Sequence, residues 1–184
     1  MQLTAMCEVR DIQKAFVYDI YEGAVENFII GLKDILNIEF IGVNSADDVL
    51  QADILCTATS SPDPLFDGDK VKEGTHINGI GSHTPNAREL DKAIIKRSKF
   101  IGDSREACFN EAGDIMIPLE NGDITEDHFY ADLGEIIGGA KQGRKTAEEI
   151  TIFKSNGLAI QDAATAKLIY DKAIDKGIGQ QIEL

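Results

Sequence analysis

The stretch HINGIGSHTPNARELD, His76–Asp91, runs from an apolar segment through two closely spaced glycines into a helical pattern. This order predicts a β-strand, a loop and an α-helix, which is the repeating unit of an α/β fold. Glycine lets the backbone approach a ligand closely, and His83 follows within the same loop. The pattern alone leaves two interpretations open: an ordinary turn, or a cofactor-facing loop with one residue directed at a substrate.

Apolar runs and helical patterns alternate on both sides of this stretch, which predicts a mostly parallel sheet flanked by helices in one domain, 1–184. Segment 149–179 predicts a strand, a Ser-Asn-Gly turn and a long helix ending at Gly177. Segment Ile117–Leu133 is interpreted as an irregular acidic connection. Other strands are predicted at Ala15–Asp19, Ile38–Val43, Asp53–Thr59, His76–Gly81 and Lys99–Asp103, and helices at Gly23–Leu36, Ser45–Leu50 and Arg88–Ile95, with Ser45, Asp48 and Ser104 in capping roles.

The opening segment MQLTAMCEVRDI has the pattern of a helix that leads into the first predicted strand. A doubly wound nucleotide-binding fold normally begins with a strand and a glycine-rich turn, and neither precedes this helix. We therefore expect a sheet that lacks its first strand and its glycine-rich turn. Either the fold does not bind dinucleotides in that way, or the chain has lost its beginning.

Composition limits the classes of function. The net charge of −14 argues against nucleic-acid and anionic-membrane surfaces, and most Asp and Glu residues are interpreted as solvated. No apolar run approaches the roughly 20 residues of a membrane span, and the N-terminus does not resemble a signal peptide. Cys7, Cys56 and Cys108 are expected to be reduced, partly buried thiols in a cytoplasmic protein. Without GxSxG, HExxH, P-loop or EF-hand motifs, we expect neither hydrolase chemistry nor a metal.

Polar or small residues follow several predicted strands, where open α/β sheets bind their ligands. Asp19 is interpreted either as a ribose-binding carboxylate or as a cap of the next helix. The segment Thr57–Pro62 leaves room for a flat ligand, although an ordinary turn is the alternative. His83 can exchange a proton near neutral pH, although a lone loop histidine is more often a surface residue. Two neighbouring strand ends of this kind predict a shared cleft.

Six stretches carry a further signal when they are taken together. In chain order they are VYD, ADILCTATSSPDPLF, GTHINGIGSHTPNARELD, GEIIGG…GR, EEITIFKSNGLAIQDAATA and a closing GIG. Their order and spacing resemble the ornithine cyclodeaminase/mu-crystallin family over nearly the whole chain. The resemblance implies a Rossmann-like, doubly wound fold that binds NAD or NADP. It also implies an amino-acid or imino-acid substrate, since the family includes ornithine cyclodeaminases, alanine dehydrogenases and ketimine reductases.

The resemblance implies roles for particular positions. Asp19 matches the family aspartate that holds the adenine ribose, which favours NAD over NADP. His83 falls where ornithine cyclodeaminases carry a catalytic aspartate, so an oxidoreductase is at least as well supported as a cyclodeaminase. Positions matching the cofactor-lining loops are Thr57, Thr59 and Ser60, then Asn78, Gly79, Ile80 and Gly81, and finally Ser155 and Asn156.

The chain also departs from the family. Ala87 replaces a lysine and Lys154 a frequent aspartate, changes expected to affect cofactor affinity rather than reaction class. The N-terminal region through which the family homodimerises and grips the substrate carboxylate has no counterpart here. We expect the NAD(P)-binding part of an amino-acid or imino-acid enzyme, with little turnover by itself. The alternatives are a noncatalytic binding protein and a nonfunctional fragment.

Overall fold

A computed structural model describes residues 1–180 and 182. Residues 181, 183 and 184 of the predicted domain lie outside the described residues. The strands are β1 (Lys14–Val17), β2 (Glu39–Gly42), β3 (Ile54–Thr57), β4 (His76–Gly79), β5 (Ser98–Gly102), β6 (Phe129–Asp132) and β7 (Ile150–Lys154). The α-helices are α1 (Gln2–Val9), α2 (Ala24–Leu32), α3 (Lys92–Arg97), α4 (Arg105–Glu111), α5 (Gly113–Glu120), α6 (Leu133–Ile137) and α7 (Ala159–Lys176).

All strand pairs are parallel, and the strands form two sheets. One contains β1 and β2, and the other has the order β3-β4-β7-β5-β6. A doubly wound sheet has the order 3-2-1-4-5-6. The observed succession β2-β1, then β3-β4-β7, is that order without strand 1, and no described strand joins β1 to β3. The structure therefore confirms the α/β fold and agrees with the predicted absence of the first strand.

The hydrophobic core lies around the five-stranded sheet. Ile77 of β4, Phe100 of β5 and Ile152 of β7 are each 0% exposed. Phe100 packs against Phe129 with ring centroids 5.7 Å apart. Burying side chains of this size stabilises a fold by about 1.5–3 kcal/mol each. Helices α1 and α7, by contrast, bury none of their residues.

The predicted connection Ile117–Leu133 is wrong, because this region contains the end of α5, strand β6 and the start of α6. Strand β6 pairs with β5 at the edge of the sheet, and it follows an acidic segment with an Asn121-Gly122 turn signal, which favours a connection over a strand. Helix α5 contains Pro118, which the sequence pattern treats as a helix breaker. The missed strand places Phe129 in the core.

Side-chain caps decide several helix ends. Helix α3 begins at Lys92 rather than at the predicted Arg88, because the Asp91 carboxylate accepts the Ile94 N–H at 2.9 Å. Helix α2 ends at Leu32, earlier than predicted, and Ser45–Leu50 corresponds to a 3-10 helix rather than an α-helix. The predicted caps are confirmed at Asp48, which accepts the Ser45 N–H, at Ser104, which accepts the Ala107 N–H, and at Gly177, which ends α7 with a φ of 63°.

Candidate cofactor site

Three neighbouring strands end at the same edge of the larger sheet. The parallel register sets Thr57 of β3 beside Gly79 of β4, and Gly79 beside Lys154 of β7. The Ile80 N–H donates to the Thr57 carbonyl at 2.8 Å, and the Ser155 N–H donates to the Gly79 carbonyl at 3.1 Å. The structure thus brings together every predicted site segment except Asp19.

A buried carboxylate joins the first two of these loops. Glu89 is 0% exposed, and its two oxygens accept the Thr59 N–H at 2.6 Å and the Gly81 N–H at 2.9 Å. The loops lie so close together that a Cβ atom on Gly81 would stand 2.2 Å from the Thr59 carbonyl oxygen. Position 81 therefore requires glycine because of this close approach.

A buried ion pair links the same region to the end of β7. Lys154 and Asp114 are both 0% exposed, with Nζ 3.1 Å from Oδ2, and Lys154 also donates to the Ser82 carbonyl. The other oxygen of Asp114 accepts the N–H groups of Glu89 at 2.8 Å and Leu90 at 2.9 Å. Burial raises the pKa of Asp114 above its ordinary value, and Lys154 opposes that shift. The Lys154 ammonium group is thus engaged with Asp114 inside the protein.

The turn after β7 is held by Asp103, which follows β5. Asp103 Oδ2 accepts the Asn156 N–H at 2.8 Å, the Gly157 N–H at 2.9 Å and the Ser155 hydroxyl at 3.2 Å. These contacts fix the backbone and leave the Asn156 side-chain amide for another partner. Both polar atoms of that amide are inaccessible to water and make no hydrogen bond within the described residues, as is also true of Thr57 Oγ1.

Polar atoms buried in this way normally have a partner, and unpaired ones require an explanation. The Asn156 amide can both donate and accept, which suits a ligand carrying an amide or hydroxyl group. The residue before it, Ser155, donates its N–H to the Gly79 carbonyl, so Asn156 lies next to the end of β4. The Asn156 amide is therefore a candidate contact for a ligand that carries an amide group, such as a nicotinamide ring.

His83 lies exposed beyond the second loop. Its Nδ1 is 2.9 Å from the Gly81 carbonyl oxygen. A carbonyl only accepts, so this bond requires a proton on Nδ1 and leaves Nε2 unprotonated in the neutral ring. Nε2 makes no hydrogen bond among the described residues.

Asp19 follows β1 in the smaller sheet and is exposed. Its Oδ1 accepts the Tyr21 N–H at 2.9 Å, and helix α2 begins after Gly23 instead. The alternative interpretation of Asp19 as a helix cap is therefore wrong. No hydrogen bond among the described residues joins Asp19 to the other candidates.

The remaining expectations concern metals, membranes and thiols. No group of three or more His, Cys, Asp or Glu residues in the described part of the chain is placed to hold a metal ion. None of the described helices combines the length and apolar character that a membrane crossing requires. All three cysteines are free, but only Cys7 is partly buried, since Cys56 is exposed and Cys108 is buried.

Comparison with known proteins gives the family. A model of the ornithine cyclodeaminase/mu-crystallin family matches residues 1–177. This chain belongs to that family. It is 38% identical over 181 residues to a Delta(1)-pyrroline-2-carboxylate reductase of Bacillus cereus, covering 97% of this chain and 55% of the relative. It is 40% identical over 182 residues to an alanine dehydrogenase of Archaeoglobus fulgidus, covering 99% of this chain and 56% of that relative.

A solved structure agrees with these relatives. The Delta(1)-pyrroline-2-carboxylate reductase of Thermococcus litoralis, in complex with NADH and L-proline, superposes with a TM-score of 0.94 at 47% identity. The match covers 98% of this chain and 56% of that one. The chain thus spans a little over half the length of the family members it matches.

Sequence reasoning missed the carboxylates that hold the loops. Most Asp and Glu residues are interpreted from the sequence as solvated, yet Glu89 and Asp114 are wholly buried and Asp103 is partly buried. For Asp103 a signal existed, because it directly follows a predicted strand. Glu89 and Asp114 lie outside the strand ends, and their partners are backbone groups that no sequence pattern identifies.

Proposed function

We propose that this chain is the NAD-binding part of an oxidoreductase that interconverts an amino acid and its imino acid. The observation that carries the proposal is the convergence of three loops at one sheet edge, beside a buried, unpaired Asn156 amide. Open α/β sheets bind ligands at such an edge. Support also comes from the Thermococcus litoralis structure, which holds NADH and has 47% identity to this chain.

Each loop has a proposed part in holding the cofactor. Asp19 binds the adenosine ribose, and its negative charge disfavours the 2′-phosphate of NADP. The backbone and small side chains of Thr57, Thr59 and Ser60 pass beside the dinucleotide. Asn78, Gly79, Ile80 and Gly81 line one side of the nicotinamide ring, and Ser155 and Asn156 approach it from the other side.

NADH, when bound, supplies the hydride that reduces an imine carbon to an amino-acid α-carbon. The contribution of this chain is to hold the ring against the substrate, because orientation alone can supply several kcal/mol of barrier reduction. His83 is the proposed proton-exchanging group, with Nδ1 held by the Gly81 carbonyl and Nε2 available. An imidazole at this position favours reductase or dehydrogenase chemistry over the lyase chemistry of a cyclodeaminase.

The substrate, the partner and the location belong to the same proposal. The substrate is a small amino or imino acid, gripped by the part of the relatives that this chain does not match, and the active form is a homodimer. The Archaeoglobus alanine dehydrogenase and the Bacillus reductase point to substrates of that size. Three free cysteines suit a reducing, cytoplasmic setting.

The test is calorimetric titration of NADH and NADPH into the unsubstituted chain and two variants. Asp19→Ala removes a charged hydrogen-bond partner worth about 1.5–3 kcal/mol, so the Kd for NADH should rise at least tenfold and the preference over NADPH should shrink. Asp34→Ala is the control, since Asp34 is also exposed but follows the far end of α2. Equal affinity of all three proteins for NADH contradicts the role of Asp19, and no binding by any of them contradicts the function.

A further inference from the structure

Glu89 is a buried carboxylate that forms no ion pair within the described residues. Its oxygens accept only backbone N–H groups, one from Thr59 and one from Gly81. An isolated buried charge is destabilising unless hydrogen bonds compensate for lost hydration. The two N–H donors provide that compensation, so the carboxylate and the two loops hold each other in place.

The two donors occupy equivalent places in adjacent loops. Thr57 of β3 pairs with Gly79 of β4, and Thr59 and Gly81 each lie two residues further along. The Glu89 carboxylate therefore links the segments that follow β3 and β4, just beyond their last paired residues. At that point no backbone hydrogen bond of the sheet sets the distance between the loops, and Glu89 does so instead.

The base of this bridge is rigid. The Glu89 N–H donates to Asp114 Oδ1 at 2.8 Å, and the Glu89 carbonyl accepts the Leu65 N–H at 2.9 Å. Asp114 is in turn paired with Lys154 at the end of β7. The Glu89 side chain thus extends from a backbone that is fixed on both sides and tied to the third strand end.

We propose that Glu89 is a positioning residue that sets the separation of the loops after β3 and β4, and through it the shape of the cofactor cleft. This inference rests on the proposed function, and it adds a residue outside the cofactor-contacting segments. Glu89 acts through the Thr59 and Gly81 amides and need not touch the dinucleotide.

Two matched substitutions test the proposal. Glu89→Gln retains the shape but replaces one acceptor oxygen by an NH₂ group, which faces an N–H donor and breaks one of the two bonds. Asp91→Asn makes the same change in a carboxylate that also bridges two backbone N–H groups, those of Gly68 and Ile94, at 2.9 Å each. Asp91 caps α3 and contacts neither loop, so it controls for the loss of one hydrogen bond.

Amide hydrogen exchange and NADH titration are measured on all three proteins at a temperature where each is fully folded. In Glu89→Gln, exchange should become at least tenfold faster at whichever of the Thr59 and Gly81 amides loses its acceptor, and the Kd for NADH should rise at least fivefold. In Asp91→Asn, faster exchange should be confined to the start of α3 and to Gly68, with NADH affinity within twofold of the unsubstituted protein.

Unchanged exchange at Thr59 and Gly81, or equal losses of NADH affinity in the two variants, would overturn the positioning role. Local loosening of the loops with an unchanged Kd would overturn the link to the cleft. If the unsubstituted chain binds no NADH, the proposed function fails, and the exchange comparison alone then decides whether Glu89 sets the loop separation.

Discussion

Replacing Lys154 by methionine should destabilise the fold severely, because it leaves the Asp114 carboxylate in the core without its charged partner. Lys154 and Asp114 are both 0% exposed, and their charged atoms are 3.1 Å apart. At an effective dielectric constant of about 20, two unit charges at that distance attract by about 5 kcal/mol. Removing one partner of a buried pair is known to cost about 3–5 kcal/mol. We therefore expect Lys154→Met to lower the free energy of unfolding by about 3–5 kcal/mol, when the whole free energy of unfolding is typically about 5–15 kcal/mol.

The assay is urea unfolding followed by circular dichroism. Lys70→Met is the matched control, since Lys70 pairs with Asp47 at the surface with more than half of its side chain exposed. An exposed pair is worth at most about 1 kcal/mol, so this variant should unfold almost as the parent does. The contrast between the two methionine variants isolates the effect of burial.

A double variant tests the pairing itself. Asp114→Asn keeps an acceptor for the Glu89 and Leu90 N–H groups while removing the charge. The double variant Lys154→Met/Asp114→Asn should therefore lose less free energy of unfolding than the two single variants lose together, by about 1–3 kcal/mol. A loss below about 1 kcal/mol in Lys154→Met, or strict additivity in the double variant, would show that the buried pair does not stabilise the fold.

Two further predictions concern single positions. Gly81→Ala should destabilise the protein by about 1–3 kcal/mol in thermal unfolding, because the new Cβ would lie within 2.4 Å of a backbone oxygen and a carboxylate oxygen. Gly31→Ala is the control, because Gly31 lies in a helix and its new Cβ would have no atom within 4 Å. That variant should be more stable than the parent by about 0.5–1 kcal/mol. The reverse order of stability would contradict the close approach of the loops. Burial lowers the pKa of His76 below 6.5, so the unfolded chain takes up a proton before the folded one and the free energy of unfolding should fall as the pH drops through about 6.5. His76→Gln should flatten that dependence in urea titrations at pH 7.5 and 5.5, and an unchanged dependence would show that His76 is not its source.

The alternation of strands and helices could be predicted from the sequence, apart from β6, because it depends on short-range patterns. Apolar segments such as Asp53–Thr59 and His76–Gly81 are separated by turn and helix signals, and successive parallel strands end at a common edge. Small residues after two of those strands then indicated a shared cleft. The strands themselves are shorter than predicted by two residues at the ends that enter the loops.

The contacts that hold the site were not accessible in that way. Glu89, Asp114 and Lys154 have the appearance of solvated charges in a sequence with 27% charged residues. Their burial depends on backbone donors and on a partner forty residues away along the chain, as in the Lys154–Asp114 pair. Long-range pairing of this kind leaves no periodic signal, whereas the hydrophobic pattern does.

NMR can map NADH binding directly onto the backbone amides of the chain. Bound NADH should cause large shifts at Thr57–Ser60, Asn78–Gly81 and Ser155–Asn156, together with Asp19. Small or absent shifts at those loops, or shifts centred on the cavity beside His128 and Asp127 at another part of the surface, would contradict the proposed cofactor site.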